Sequence, residues 1–580
     1  MKYEQHVVSV VQDAVEEEVP EDTLRDALEE PPSLEMGDIA LVCYPLASEL
    51  RTAPEEIASS LATSTSPDQV IQEVSAEGAY VNFTLKRPVV IRQTIERIVE
   101  QGGDYGRQEI GAGKTIVLDY SAPNIAKPFH LGHLRSTNIG EDLARIFEFL
   151  GYDVWRKNYL GDWGTQFGFV IYGWKEYGSE TKLEEDSIEH LVDLYVRANQ
   201  EAEHDPSVRD KAREYFRRLE EGDPEMRELW KRFRQLSIQK FRETYDRLGI
   251  EFDSYEGEAA AQERVDEVIE RFKEAGIAEK SEGALIVEVE EDEVPPCMLH
   301  KSDGATTYAA RDVAEAIRRW EKHRFAHNMY VVGRQEDHFA QVFGALEKLA
   351  EAEDWDVRWP DRCENISFGF VQGMSTREGN AIWLEDVLDE AKERARESRK
   401  EKQQANPEAY PPLTEEELDR NSEAIGQAAL LFTDVSARRI RQIQFDWDEV
   451  LQFEGRTGPY LQYTFARVEG VLREAEEREK GIPSEVDYRQ IGNDLEWKLV
   501  RQLRQFPQAV RRAGEEREPN VVAMYLFDLA SCFNSFYGAC QIVDEGAPEL
   551  TSARLALVRA VKIVLKNGLR LLRIQPLEVM

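Results

Sequence analysis

The sequence predicts an α/β fold with a central parallel sheet, preceded by a smaller α+β domain and followed by an all-α helical bundle. Three observations carry this prediction. The strand-like residues 115–120 lead into a loop at Pro123 and then into a helix, whose apolar positions recur until Gly151. Strand and helix patterns alternate from residue 114 to about residue 396, as crossovers between parallel strands require. Beyond residue 417 the pattern is helical throughout.

Residues 1–106 form the first predicted domain. This segment is acidic and mixes helix and strand patterns, ending in a strand-like run at residues 80–85 and a helix through Ile98. Gly102 and Gly103, with the polar residues after them, mark its boundary. We therefore expect an appended N-terminal domain.

Residues 107–396 form the second predicted domain, and about residues 186–248 within it are almost entirely amphipathic helix, which indicates a helical insertion. A polar linker with three prolines is predicted at residues 397–417. Residues 418–580 form the third predicted domain, which is helical. A chain of 580 residues is long enough for roughly three to four domains.

The composition restricts the compartment and the partners. The formal net charge is −40, from 112 acidic against 72 basic residues, which ordinarily argues against a nucleic-acid partner. Because the carboxylates are spread along the whole chain, we favour an adaptation to high salt, in which screening removes most of the self-repulsion. Five scattered cysteines, no basic and apolar leader and no apolar run near the roughly 20 residues of a membrane span favour an unprocessed cytoplasmic protein without membrane contact.

The sequence His130-Leu131-Gly132-His133 lies between the predicted strand and helix. A helix N-terminus attracts anions through its free N–H groups and its dipole, and two imidazoles can add hydrogen bonds to a phosphoryl group. Gly132 leaves room for a flat base. Taken alone, such a pair would more often be a helix cap or a metal-like coincidence, so the flanking residues decide the interpretation.

The longer segment 123–137, Pro-Asn-Ile-Ala-Lys-Pro-Phe-His-Leu-Gly-His-Leu-Arg-Ser-Thr, resembles the HIGH signature of class I aminoacyl-tRNA synthetases in its arginyl form. Residues 158–168, Asn-Tyr-Leu-Gly-Asp-Trp-Gly-Thr-Gln-Phe-Gly, resemble the family's continuation. The resemblance covers nearly the whole chain. It implies a Rossmann-type catalytic domain that ligates L-arginine to the 3′ end of tRNA(Arg) through an arginyl-adenylate, using ATP and nucleotide-bound Mg²⁺ but no separate protein metal site.

Residues 369–380 resemble the second class I signature, KMSKS, in a degenerate form. The two expected lysines are replaced by Gly373 and Thr376. Since pyrophosphate departure needs a nearby cation, the resemblance points to Lys127 as the substitute, with Arg377 as an assistant. The alternative for Lys127 is a solvated loop charge. Catalytic roles are expected for Lys127, His130 and His133, and ATP contacts for Phe129, His130, Gly132, His133, His338, Met374, Ser375 and Arg377.

A guanidinium substrate needs planar acceptors such as carboxylates and amide oxygens. Tyr308 and Asp312 are four residues apart, so they share one face of a helix and resemble the family's Tyr-x-x-x-Asp, although such a pair is more often a surface hydrogen bond. The resemblance adds Gln335 for arginine, and Asp119, Asn124 and His133 for its α-amino and carboxylate groups. Glu258 is a less specific addition. For Asp119 the alternative is a polar strand end that satisfies loop amides.

The C-terminal segment resembles the family's anticodon-binding domain. Residues 551–574 contain six basic and no acidic residues, which fits a phosphate-binding face. The expected tRNA contacts are Arg554, Arg559, Lys562, Lys566 and Tyr460, and further arginines are expected to extend the face: Arg438, Arg439, Arg441, Arg501, Arg504, Arg511 and Arg512. For each basic residue the alternative is a helix surface paired with nearby carboxylates. By resemblance, the N-terminal domain would contact the tRNA elbow, with residues 37–40 as its best match.

Two rival functions remain. The first is a class I synthetase for another amino acid, against which Tyr308, Asp312 and Gln335 argue. The second is a catalytically silent tRNA-binding paralogue, which only the missing loop lysines favour. We expect an active enzyme that is a monomer.

Overall fold

The computed structural model describes residues 2–15, 19–127, 129–289, 294–302, 304–372, 383–407, 410–444, 446–452, 455–478, 482–483 and 485–580. Its contacts divide the chain into two compact units. Unit 1 consists of residues 1–102, 471–504 and 531–564, and unit 2 of residues 103–470, 505–530 and 565–580. The units therefore do not follow the three predicted domains, because segments of the C-terminal helices belong to each of them.

Unit 1 contains a four-stranded antiparallel sheet in the order β1-β2-β4-β3. Its strands are β1 (Leu28–Glu29), β2 (Ile39–Val42), β3 (Ile71–Glu77) and β4 (Tyr80–Leu85). Its N-terminal helices are α1 (Lys2–Ala14), α2 (Glu21–Asp26), α3 (Ala47–Leu50), α4 (Pro54–Ser64) and α5 (Arg87–Gln101). The expected α+β character is confirmed. Asp38, in the segment expected to contact tRNA, accepts hydrogen bonds from Trp497 Nε1 and Leu85 N, so its carboxylate is used within the unit.

The main sheet of unit 2 has the order β11-β10-β5-β6, and its paired strands all run parallel. These strands are β5 (Thr115–Asp119), β6 (Asp153–Lys157), β10 (His327–Gly333) and β11 (Cys363–Phe368). Two small sheets accompany it, one of β7 (Glu279–Ser281), β8 (Ala284–Val287) and β9 (Cys297–His300), the other of β12 (Val371–Gln372) and β13 (Ile443–Gln444). The predicted parallel sheet is confirmed.

Helices cover the main sheet and connect its strands. They are α6 (Leu131–Phe149), α7 (Gln166–Tyr177), α8 (Glu180–Glu185), α9 (Ser187–His204), α10 (Pro206–Glu220), α11 (Pro224–Arg247), α12 (Glu258–Glu274), α13 (Tyr308–His323), α14 (Glu336–Ala352) and α15 (Leu384–Ala405). The apolar faces of α12, α13 and α14 bury Val268, Val313 and Leu346 in one core with Val117 of β5. This core fixes the helices that carry the site described below.

The remaining helices follow in the C-terminal third of the chain: α16 (Glu415–Val435), α17 (Trp447–Val450), α18 (Gly458–Glu477), α19 (Asp494–Glu516), α20 (Asn520–Ala539) and α21 (Pro548–Leu571). The predicted helical character agrees with this, apart from strand β13. Within the described part of the chain, every helix is either too short or too polar to cross a lipid bilayer.

The predicted insertion coincides with helices α9–α11, and the predicted linker differs from the structure. Residues 397–405 continue α15 instead of forming an extended linker. The reason is local, because these residues are mostly Glu, Lys, Arg, Gln and Ala, which are strong helix formers. The helix ends at Ala405, shortly before Pro407.

Candidate active site

His130 and His133 begin helix α6, which follows strand β5 at the carboxyl edge of the sheet. His130 is the N-cap, and its Nδ1 accepts a hydrogen bond of 3.0 Å from Gly132 N. His133 Nδ1 accepts one of 3.2 Å from His130 N, and the two rings lie 3.9 Å apart. The pair therefore caps the helix, as the alternative interpretation required, and this same capping fixes both rings at the helix N-terminus.

Both imidazoles are neutral at physiological pH. Burial lowers the pKa of His130, and burial together with the neighbouring His130 lowers the pKa of His133 to about 3. Since each Nδ1 accepts a backbone N–H, the single proton of each neutral ring must sit on Nε2. Both histidines thus present an Nε2–H donor, which is what an anionic oxygen at the helix N-terminus needs.

The loop between β5 and α6 is held in a strained conformation. Ser121, Ala122 and Ala126 all have positive φ angles, of 74°, 47° and 54°. Side chains of neighbouring elements hold it: Ser121 N donates to Ser136 Oγ at 2.9 Å, and Ala126 N donates to Ser237 Oγ at 3.1 Å. Strain that is kept in place by such contacts is typical of functional loops.

Asn124 pairs with the segment that follows β6. It forms a β-bridge with Gly161, and a Cβ at Gly161 would lie 2.2 Å from Asn124 Oδ1. Only glycine leaves space for the amide there. The side chain of Asn124 is half-buried at the carboxyl edge of the sheet, where its expected contact with substrate is possible.

Lys127 and Phe129 contact different neighbours. The Lys127 ammonium lies 5.5 Å from the ring centroid of Tyr195 in α9, and burial lowers its pKa. Phe129 is only 5% exposed and packs against His133 at 5.3 Å and Tyr245 at 5.3 Å. The structure thus places the Phe129 ring in an aromatic cluster with His133 and Tyr245, and its expected contact with ATP stays a prediction.

The second signature lies largely outside the described residues, and this includes Met374, Ser375 and Arg377. Its first four residues and the chain after it are described. Within it, Val371–Gln372 pairs in parallel with Ile443–Gln444. After it, Trp383 forms a β-bridge with His130, and Leu384 N donates to Phe129 O at 2.9 Å. The described residues on the two sides of its undescribed part therefore lie beside residues 443–444 and beside the first signature.

Helix α13 carries Tyr308 in its first turn and Asp312 one turn later, as predicted. Tyr308 is 61% exposed, and the Arg311 guanidinium lies 4.5 Å above its ring. Asp312 Oδ2 lies 2.6 Å from His338 Nε2. His338 therefore contacts the carboxylate that is expected to bind arginine, and its expected contact with the nucleotide stays a prediction.

Glu258 begins helix α12 and is oriented by a close backbone approach. A Cβ at the preceding Gly257 would lie 2.1 Å from Leu160 O, and Asp162 Oδ1 accepts from Ala259 N at 2.8 Å. Burial, together with the Asp312 and Asp162 carboxylates, raises the pKa of Glu258 to about 8 against the opposing charge of Arg311. Glu258 and Asp312 thus form an acidic site that a cation would stabilise.

Tyr159 is a residue of this site that the sequence analysis did not single out. Burial and the carboxylates of Asp312, Glu315 and Glu258 raise its pKa. Its buried hydroxyl has no hydrogen-bond partner among the described residues. Its position directly after β6, inside the segment 158–168, is the one sequence signal that pointed to it.

Asp119 lies in a buried ion network beneath the acidic site. Its Oδ2 accepts from Arg319 Nη2 at 2.6 Å, and its Oδ1 accepts from Tyr159 N at 3.3 Å. Glu315 joins the network through Arg319 at 3.0 Å and Lys157 at 3.3 Å. Burial alone would raise the pKa of Glu315, but the surrounding cations lower it to about 2.

This arrangement agrees with the alternative for Asp119, a strand end that satisfies local donors, because the carboxylate already has a cation and an amide. The network joins α13 to strands β5 and β6. The residues at positions 308, 312, 315 and 319 lie on one face of α13, so their spacing was the available signal for it. Gln335, the N-cap residue of α14, is exposed just after the end of β10.

The basic residues of the C-terminal third differ in their surroundings. Arg559 and Lys566 of α21 are exposed, and Lys562 is half-buried. Arg554 instead donates to Glu496 Oε1 at 2.8 Å and to Gln541 O at 2.8 Å, with its side chain 12% exposed. Tyr460 is half-buried, with its ring 5.5 Å from that of Phe527. Arg554 thus matches the alternative of the sequence analysis, because its side chain is paired with Glu496, a carboxylate of α19.

Three family profiles match the chain. "Arginyl tRNA synthetase N terminal domain" matches residues 1–85, "tRNA synthetases class I (R), catalytic domain" residues 94–447, and "DALR anticodon binding domain" residues 461–580. The catalytic profile extends through the segment that the sequence analysis divided between linker and third domain.

Relatives match over the whole length. The chain is 40% identical to "Arginine--tRNA ligase" of Clostridium perfringens over 585 residues, covering 100% of both chains. It is 39% identical to "Arginine--tRNA ligase 1" of Bacillus thuringiensis subsp. konkukian, again over 100% of both. Among solved structures, the arginyl-tRNA synthetase of Thermus thermophilus matches with a TM-score of 0.78 and 25% identity over 100% of both chains. That of Plasmodium falciparum matches with a TM-score of 0.78 and 21% identity, over 100% of this chain and 99% of the other.

Proposed function

The chain belongs to the arginyl-tRNA synthetases, a family of class I aminoacyl-tRNA synthetases, and we propose that the site at the carboxyl edge of its parallel sheet carries out both steps of the family's reaction. The protein is an enzyme that joins arginine to tRNA. Nothing in the comparisons favours a silent paralogue. What remains to be assigned is the role of each residue.

The observation that carries the assignment is the acidic site formed by Glu258 and Asp312. The Asp312 carboxylate lies close enough to help raise the pKa of Glu258, and the described chain offers Glu258 only the partial compensation of Arg311. A guanidinium supplies a planar cation with five donors, which suits two carboxylates and the free Tyr159 hydroxyl. We assign the arginine side chain to Glu258, Asp312 and Tyr308, with Gln335 and Asn124 toward its α-amino and carboxylate groups.

The nucleotide is assigned to the N-terminus of α6. In the first step the arginine carboxylate oxygen attacks the α-phosphorus of ATP, the bond to the β-phosphate oxygen breaks, and pyrophosphate leaves. The Nε2–H groups of His130 and His133, with the helix dipole, would stabilise the charge that develops on the phosphates. Lys127 would supply the cation that the second signature lacks.

In the second step a hydroxyl of the terminal ribose of tRNA attacks the carbonyl carbon of the adenylate and AMP leaves. Exposed Arg559 and Lys566 would contact the tRNA backbone. In the described part of the chain no three potential metal ligands lie together, so we propose that Mg²⁺ enters with the nucleotide phosphates. We further propose a cytoplasmic monomer.

Arginine-dependent ATP–pyrophosphate exchange, run in high potassium salt with and without tRNA, tests the assignment. We expect exchange with arginine and none with lysine or citrulline, and loss of exchange in Asp312→Ala. Lysine keeps the positive charge without the planar fork, and citrulline keeps the shape without the charge, so the two analogues separate these requirements. Exchange that is unchanged in Asp312→Ala would overturn the assigned pocket, and folded protein that binds tRNA without exchange would support the paralogue.

A further inference from the structure

Residues 438–444, between α16 and α17, lie against the described start of the second signature, residues 369–372. Gly369 N donates to Arg439 O at 2.8 Å, and Ile443 N donates to Phe370 O at 3.1 Å. The contact continues into the paired strands β12 and β13. A Cβ at Gly369 would lie 2.6 Å from Arg441 O, so the two backbones are packed without space between them.

Arg439 makes most of the polar contacts of this junction. Its Nη1 donates to Ser367 O at 2.5 Å near the end of β11, and its Nε donates to Arg517 O at 3.2 Å. Its backbone N donates to Glu518 Oε2 at 3.1 Å. The side chain is 19% exposed. The sequence analysis expected Arg439 on a tRNA-binding face, but the structure turns it inward, because two carbonyl oxygens meet its guanidinium there.

The carbonyl oxygen of Arg439 also connects to the first signature. It accepts a hydrogen bond of 2.9 Å from Arg135 Nη2, on the first turns of α6, and Arg135 is 1% exposed. Arg135 Nε lies 3.5 Å from Asp434 Oδ1 at the end of α16. One residue thus touches the helix that carries His130 and the strand that leads into the second signature.

We propose that Arg439 is a positioning residue that holds residues 367–372, at the end of β11 and in β12, in a fixed position relative to helix α6, and thereby aligns two sides of the site to which the nucleotide is assigned. It acts through Ser367, Gly369 and Arg135 and touches no substrate itself. Because adenylate formation depends on alignment within the site, a shift of about 1 Å between the two sides lowers the rate about 100-fold. The arginine side chain, which is assigned to α12 and α13, should then stay bound with little change in KM. The inference rests on the assignment of the nucleotide to α6.

The test uses the full chain with Arg439→Ala, Arg439→Lys and Gly369→Ala. Pre-steady-state adenylate formation is measured with saturating ATP, arginine and tRNA, and KM for arginine and Kd for tRNA are measured alongside. Arg358→Ala is the matched control, because Arg358 is an exposed arginine whose ion pair is with Glu351 and not with the junction around Arg439. Thermal unfolding establishes that each variant is folded at the assay temperature.

We expect Arg439→Ala to lower the rate of adenylate formation about 100-fold, with KM for arginine and Kd for tRNA within threefold of wild type. The adenylation rate of Arg439→Lys should lie between those of wild type and Arg439→Ala, because an ammonium cannot reach Ser367 O and Arg517 O together. Gly369→Ala should reproduce the loss without removing a charge, and it decides the question if Arg439→Ala fails to fold. Two results would overturn the proposal. One is a higher Kd for tRNA in Arg439→Ala at an unchanged adenylation rate, and the other is full activity in Gly369→Ala. An inactive wild type would instead contradict the proposed function.

Discussion

The Lys127 ammonium lies 5.5 Å from the ring centroid of Tyr195. Lys127 belongs to the loop before α6, and Tyr195 belongs to α9 in the helical insertion. The insertion therefore contacts the residue that we assign as the replacement for the missing signature lysines. Among the described residues, the Lys127 ammonium has neither a hydrogen-bond partner nor a carboxylate partner, so it stays available to an incoming phosphate.

Lys127→Ala should lower the rate of adenylate formation by about 100- to 1,000-fold, since it removes the proposed cation for the leaving pyrophosphate. Stopped-flow or quenched-flow adenylation measures the rate. Lys273→Ala, at a lysine of α12 whose side chain is 45% exposed, is the control and should stay active. An unchanged rate in Lys127→Ala would mean that another group supplies the charge.

Tyr195→Leu should lower the adenylation rate less than Lys127→Ala does, because it removes only the aromatic face that orients the Lys127 ammonium. A contact of this kind contributes about 0.5–1 kcal/mol, which corresponds to a two- to fivefold loss in the adenylation rate. Tyr195→Phe keeps the ring and should remain close to wild type. Equal rates for the Leu and Phe variants would show that the ring does not orient Lys127.

His338→Ala should raise KM for arginine more than KM for ATP. His338 Nε2 lies 2.6 Å from Asp312 Oδ2, and loss of a hydrogen bond to a charged carboxylate costs about 1.5–3 kcal/mol, or roughly 10- to 100-fold in KM. Steady-state exchange with each substrate varied measures both constants. His204→Ala, at an exposed histidine of the insertion, serves as the control. A larger rise in KM for ATP than in KM for arginine would assign His338 to nucleotide binding.

Local patterns in the sequence predicted those parts of the site that one segment builds by itself. The shared face of Tyr308 and Asp312 follows from their spacing, the HIGH loop was identified by its resemblance to a family signature, and the parallel sheet follows from the alternation of strand and helix patterns. Contacts between distant segments could not be predicted in this way. Arg319 meets Asp119 across 200 residues, and Arg439 meets Ser367 across 72.

The same limit explains the basic residues that turned inward. A stripe of arginines predicts a phosphate-binding face only if no carboxylate of another segment meets it. Glu496 meets Arg554, and Asp142 meets Arg573, whose side chain is 2% exposed. The sequence of one helix contains no information about either partner. The basic pattern of α21 does predict Arg559 and Lys566 as surface residues, and both are exposed.

Gly132→Ala should separate activity from stability. A Cβ at Gly132 would lie 2.8 Å from His130 Cε1 and 2.9 Å from Nδ1, so the ring must move and the cap hydrogen bond of 3.0 Å is lost. We expect adenylation to fall about 100-fold. Alanine favours the helix by up to about 1 kcal/mol over glycine, which offsets part of the roughly 0.5–2 kcal/mol that loss of the cap costs, so the free energy of unfolding should fall by no more than about 2 kcal/mol.

Gly538→Ala is the matched control for that variant, because a Cβ at this helical glycine meets nothing within 4 Å. Denaturant unfolding and pre-steady-state adenylation are measured for both variants. If Gly132→Ala were as active as Gly538→Ala, the orientation of the His130 ring would not matter for catalysis.

Arginine binding should depend on pH through Glu258. In the free protein, burial and the neighbouring Asp312 and Asp162 carboxylates raise the pKa of Glu258 to about 8, so its carboxyl is mostly protonated at pH 7. A bound guanidinium favours the ionised form and lowers that pKa, so binding releases a proton. The Kd for arginine should therefore fall as the pH rises toward 8, by at most about tenfold per pH unit, and level off above it.

Isothermal titration calorimetry in buffers of different ionisation enthalpy measures both the Kd and the number of protons released. Glu258→Gln should bind arginine more weakly at pH 8, with little dependence on pH between 6 and 8 and little proton release. Its fold should persist, because the amide resembles the neutral carboxyl that the free protein already contains near pH 7. The variant also controls for the α-amino group of arginine, which titrates equally in both proteins. Equal pH slopes for wild type and Glu258→Gln would show that the linked proton belongs to another group and would remove Glu258 from the guanidinium site.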